Sequence, residues 1–105
     1  GELCPGVAVA VRLAEEATRI LASDLAVPQV SVTIGADPCI ADALVGITGA
    51  RPGNCRLRCS EANCYAFASP GGEAIFHLRR VSASVREILA CPGRSLFDCE
   101  VRSPP

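Results

Sequence analysis

The chain has 105 residues, enough for one modest hydrophobic core and too few for two, so it reads as a single domain. Half of it is apolar but only 4% is aromatic, with Met and Trp absent, so that core has to be built from Ala, Val, Leu and Ile. Its 10 basic residues, all Arg, against 11 acidic ones leave a charge of −1, and no apolar run reaches the ~20 residues of a membrane span, so neither nucleic acid nor membrane is expected as a partner.

Cys4-Pro5-Gly6 opens the first predicted helix, with Pro5 at the first helical position, where a missing N–H is harmless, and Cys4 at the cap. Val7, Ala10, Val11, Ala14, Ala17, Leu21 and Leu25 recur at helical spacing as the buried face. Arg12, Glu15, Glu16 and Arg19 point the other way, and the helix is expected to run to about Asp24, before Pro28. Residues 29–34 alternate, with Val30, Val32 and Ile34 on one face and Ser31 and Thr33 on the other, as a half-buried strand does. Asp37-Pro38 then starts a second helix with Asp37 as N-cap; it carries Cys39, Ile40, Ala43, Leu44 and Ile47 and closes at Thr48-Gly49.

After Pro52-Gly53-Asn54 come three short strands, at 55–60, 64–69 and 74–81, expected to form an antiparallel meander. Residues 84–90 read as a short third helix and 91–105 as an extended tail. The order predicts an α+β domain: two N-terminal helices on a mainly antiparallel sheet of about four strands, with core residues 1–90 and tail residues 91–105.

Seven cysteines are the compositional outlier, and an odd number cannot pair completely within one chain. Long helical patterns and the lack of a secretory signal favour reduced thiols and a cytoplasmic protein; the opening at Gly1 rather than Met is expected to reflect trimming upstream. Cys4 and Cys39 each stand at a helix start beside a proline, where free N–H groups and the helix dipole favour a thiolate. If the two starts converge, they form a soft or borderline metal site, or a thiol redox or sulfur-transfer centre. Asp42, three residues after Cys39 on the same helical face, is a candidate ligand or proton acceptor. Cys55, beside the Gly53-Asn54 turn, is the third-choice metal ligand, while Cys59 and Cys64 read as packed residues and Cys91 and Cys99 as free or mutually bonded. His77, the only histidine, reads as a satisfied structural residue; Arg51, Arg56, Arg58, Arg79 and Arg80 could make a basic sheet face for an anionic partner, though charge on an outer sheet face is usually just solvated. A non-catalytic interaction domain with structural cysteines is the remaining alternative.

Leu3-Cys4-Pro5-Gly6, Asp37-Pro38-Cys39-Ile40-Ala41-Asp42-Ala43, Thr48-Gly49 with Pro52-Gly53-Asn54, and Tyr65-Ala66-Phe67 occur in an order that resembles the core domain of the FmdE family, the proteins encoded beside molybdenum and tungsten formylmethanofuran dehydrogenases. The resemblance implies a metal near the Cys-Pro-Gly segment, and the donor types suit zinc, iron or nickel better than an iron–sulfur cluster. It implies cofactor-binding positions at Thr48, Gly49 and Asn54, and catalytic ones at Cys4, Cys39 and Asp42. Glu2 occupies the place of a family histidine and is a candidate fourth ligand. The resemblance also implies a homodimer and an oxidoreductase or small-molecule partner. The C-terminal zinc finger common in such proteins would begin about where this chain ends.

Overall fold

The computed structural model describes residues 4–54, 56–79 and 84–103. Helix α1 spans Pro5–Leu21 and buries Ala8, Val9, Ala10, Leu13, Ala14 and Ala17, a stripe of small side chains that lets neighbouring backbones come close. It stops short of Asp24 because Ala22 adopts a left-handed conformation (φ 50°) that ends the helix, and the Asp24 carboxylate then accepts from the Ala26 N–H in the following turn. Arg12 does not point to solvent with its acidic neighbours. Its guanidinium donates to the carbonyls of Ile88 and Cys91, at 2.9 and 2.6 Å, and ties α1 to the end of α3 (Val85–Ala90).

Val30, just before strand β1 (Ser31–Ile34), and Val32 within it are buried in the core, and α2 (Pro38–Thr48) follows with the caps expected from Asp37 and Gly49. Strands β2 (Leu57–Cys59), β3 (Cys64–Ser69), β4 (Gly72–Leu78) and β5 (Phe97–Arg102) complete a five-stranded sheet in the order β2-β1-β3-β4-β5. The expected three-strand meander is therefore corrected at its first member. β2 does not neighbour β3; it crosses over through α2 and pairs parallel with β1, as two parallel strands require a crossover to join them. The meander is instead β3-β4-β5, all antiparallel, because the tail supplies an edge strand paired with β4 from Leu78↔Phe97 to Glu73↔Arg102. Among the described residues the sheet thus has five strands rather than about four, and the α+β class stands.

The helices cover one face of the sheet. Phe76 lies at the centre of that interface, edge-on to Phe67 at 6.0 Å and to Phe97 at 5.0 Å between ring centroids. Ser31, Thr33, Arg58, Ala66, Ala68 and Glu73 line a small hollow on the opposite face. Among the described residues, no helix is long and apolar enough to cross a membrane.

Candidate functional site

The first turns of α1 and α2 meet. Gly6 makes this possible, since a Cβ built on it would lie 2.7 Å from the Cβ of Cys39, closer than two carbons can stand. The approach carries Cys39 to the start of α1, where Cys4 stands at the N-cap with extended backbone angles. Both cysteines are exposed, and each thiol lies close enough to shift the ionisation of the other.

The start of α2 is fixed from behind by the sheet. Tyr65 is fully buried, and its hydroxyl accepts a hydrogen bond from the Asp37 N–H at 3.2 Å. Gly35 allows this, because a Cβ there would fall 2.8 Å from the Tyr65 ring and 2.7 Å from the Ala62 carbonyl. Burial pushes the Tyr65 phenol up, which keeps it neutral. The Asp37 carboxylate then accepts from the N–H groups of Cys39 and Ile40, at 2.9 and 3.3 Å. Strand β3, Tyr65, Asp37 and Cys39 form one chain of support.

The two thiols are electrostatically unequal. The Cys4 side chain makes no cap hydrogen bond of ordinary geometry, yet its sulfur feels the first-turn amides. The Gly6 N–H, followed by the Cys39 thiol, holds the Cys4 thiol below its usual range. Cys39 is pushed up, first by its hydrogen bond and charge interaction with Cys4, then by burial and by the carboxylates of Asp37 and Asp42. Of the two, Cys4 is the thiol that ionises more readily and Cys39 the one that keeps its proton longer. Asp42 is exposed and acts on Cys39 through its charge.

The other expected site residues are placed as follows. Thr48 is buried, donating to the Leu44 carbonyl and accepting from the Ala50 N–H. Gly49 caps α2 in the left-handed conformation. Asn54 donates to the Gly49 carbonyl and accepts from the N–H groups of Arg51 and Arg56. These three build the turn after α2, and their polar atoms already have partners within the chain. Glu2 and Cys55 lie outside the described residues. Among the described residues, no group of three or more His, Cys, Asp or Glu side chains gathers where it could hold a metal ion.

The remaining described cysteines are separate from this pair. Cys59, Cys64, Cys91 and Cys99 are free, so Cys91 and Cys99 are not bonded to each other. Burial, then the charges of Glu73 and Glu100, push the Cys64 thiol up; burial and Glu16 do the same to Cys99. His77 is exposed, opposite Cys64 and Asp98 in the strand register. Two of the arginines that could have made a basic face are engaged within the chain. Arg56 donates to the Val30 and Leu25 carbonyls and Arg79 pairs with Asp98, while Arg80 lies outside the described residues. Two surface hollows, of about 510 Å³ between α1 and the segment after it and about 550 Å³ between α1 and β5, are lined by neither Cys4 nor Cys39.

Gly6 and Tyr65 are positioning residues, a role that sequence reasoning did not give them. Their signals were a glycine inside a helical first turn, which usually marks close packing, and the only tyrosine in the chain.

A two-layer α+β domain with two cysteines brought together at adjoining helix starts is the class these features define. Residues 1–94 match a family model described as "FmdE, Molybdenum formylmethanofuran dehydrogenase operon", and the chain belongs to the FmdE family. No curated protein matches the chain.

Proposed function

We propose that this FmdE domain binds a transition metal through the thiolates of Cys4 and Cys39, in an accessory or catalytic role in metal or redox metabolism. The observation that carries the reading is the close approach of two helix starts, each carrying an exposed cysteine. Sulfur donors suit zinc, iron or nickel, and the nearby carboxylates of Asp37 and Asp42 favour a cation over an anion. Two thiolates are half of a four-coordinate shell. Glu2, Cys55, Asp42, water or a substrate are the candidates for the other positions. A bound metal would supply Lewis acidity toward a substrate oxygen or sulfur.

The chain's own contribution is to ease ionisation of Cys4 through the Gly6 amide and to keep Cys39 in place through Asp37 and Tyr65. The family's description supports a role beside formylmethanofuran dehydrogenase. A cytoplasmic homodimer serving an oxidoreductase or a small-molecule substrate is the setting we propose for it.

The test is elemental analysis of anaerobically purified protein, with a count of accessible thiols, on the wild type and on Cys4→Ser and Cys39→Ser. Near-stoichiometric metal that disappears in both variants supports the reading. Metal-free wild type with both thiols readily modified overturns it.

A further inference from the structure

The pair also carries a chemistry that needs no metal. Both thiols are exposed, Cys39 packs against Gly6 two residues after Cys4, and Gly6 lacks the side chain that would keep the two helices apart. A disulfide requires its two Cβ atoms about 3.5–4.5 Å apart, and the close approach of the two helix starts at Gly6 brings Cys39 beside the turn that Cys4 opens. The two helix starts are also capped differently. The first-turn amides of α1 have no side-chain cap and face Cys4, whereas the Cys39 and Ile40 amides of α2 are occupied by the Asp37 carboxylate. A thiolate is therefore better supported at Cys4, and Cys39 is placed to follow it.

We propose that Cys4 and Cys39 form a reversible dithiol–disulfide couple that exchanges with low-molecular-weight disulfides, Cys4 attacking and Cys39 resolving. The couple uses the two thiols of the metal reading and stands whether or not that reading does. In the first step the Cys4 sulfur attacks one sulfur of RS–SR; a Cys4–SR bond forms, the RS–SR bond breaks, and RS⁻ leaves. In the second, Cys39 gives up its proton to the departing thiolate or to water and attacks the Cys4 sulfur. The Cys4–Cys39 bond forms and the second RS⁻ leaves. Two electrons pass from the protein to the small disulfide, which becomes two RSH, and excess RSH runs both steps backwards. Oxidation removes both thiolates from the metal site, so the disulfide and a bound metal exclude each other. Gly6 is a positioning residue for the second step.

The experiment uses metal-free protein kept in chelator and equilibrated anaerobically with graded ratios of oxidised to reduced glutathione, then acid-quenched, alkylated and mapped by mass spectrometry. The expected result is a link between Cys4 and Cys39 whose fraction rises with the oxidised share and falls again on return to reduced glutathione. In Cys39→Ser the glutathione adduct should sit on Cys4 and persist about tenfold longer or more than in the wild type, where resolution is intramolecular. Gly6→Ala should accumulate the same adduct without the link. If circular dichroism shows that this variant does not fold, Cys39→Ser decides alone. No Cys4–Cys39 link in the wild type at any ratio overturns the couple, and an adduct that forms on Cys39 in preference to Cys4 overturns the order of attack. Because chelator is present throughout, neither result bears on the metal reading, which elemental analysis decides separately.

Discussion

Cys4 at the start of α1 and Cys64 at the start of β3 sit in one small domain under opposite influences. The first-turn amides of α1 and a neighbouring thiol draw Cys4 toward the thiolate; burial and two carboxylates hold Cys64 toward the thiol. Cys39 and Cys99 extend the contrast. Cys39 is raised mainly because Cys4 takes the negative charge, and Cys99 because the sheet edge and Glu16 surround it. The backbone that presents a cysteine, rather than the cysteine itself, decides whether it can bind a metal or attack a disulfide.

Metal affinity should separate the two regions most strongly. Cys4→Ser and Cys39→Ser should each weaken zinc or cobalt binding by more than about 100-fold, since even indirect supports of a ligand are worth 10–100-fold. Cys64→Ser and Cys99→Ser should leave it unchanged; competition with a chromogenic chelator measures all four, and a loss shared by the sheet variants would erase the distinction. Next comes Tyr65→Phe. It leaves the Asp37 N–H without its buried partner, and chemical denaturation should show a loss of about 1–3 kcal/mol. Asp37→Ala should cost about 1 kcal/mol through the lost cap. Asp37→Asn keeps the cap and removes the charge, so it should make both thiols easier to ionise with little change in stability.

A subtler difference should appear in the pH dependence of alkylation. A lowered pKa means a larger thiolate fraction at a given pH, so Cys4 should keep reacting as the pH falls below the range of an ordinary thiol. Cys64 and Cys99 are raised, so their reactivity should appear only above that range. Rates per residue from mass spectrometry check the sign. Coincident profiles for Cys4 and Cys64 would remove the electrostatic part of the contrast.

How much of this was readable in advance follows the range of the interactions involved. The start of α1 and both ends of α2 were legible because Pro5, Asp37, Pro38 and Gly49 act on the backbone within a few residues. The position of β2 was not, because strand order is settled by which edges meet after α2 crosses over, and three residues carry no signal of that. In β5 the signal was present: Phe97, Cys99 and Val101 alternate with Asp98, Glu100 and Arg102, but the prolines on either side read as a tail. The helix-start cysteines were legible as candidates, while their meeting was not. It depends on Gly6 lacking a side chain and on Tyr65 reaching Asp37 from another strand. Arg12 was misassigned for a similar reason, since its partners lie more than seventy residues away.

The site exists only if Cys4 and Cys39 meet, and a trivalent arsenical is the sharpest probe of that meeting because it bridges only thiols that already stand close together. Reduced, metal-free protein should take up phenylarsine oxide with Cys4 and Cys39 together protected from alkylation, and either serine variant should lose that uptake. Bridging that persists in both variants, or a wild type in which Cys4 and Cys39 remain separately alkylated, would mean that the two helix starts do not converge in solution.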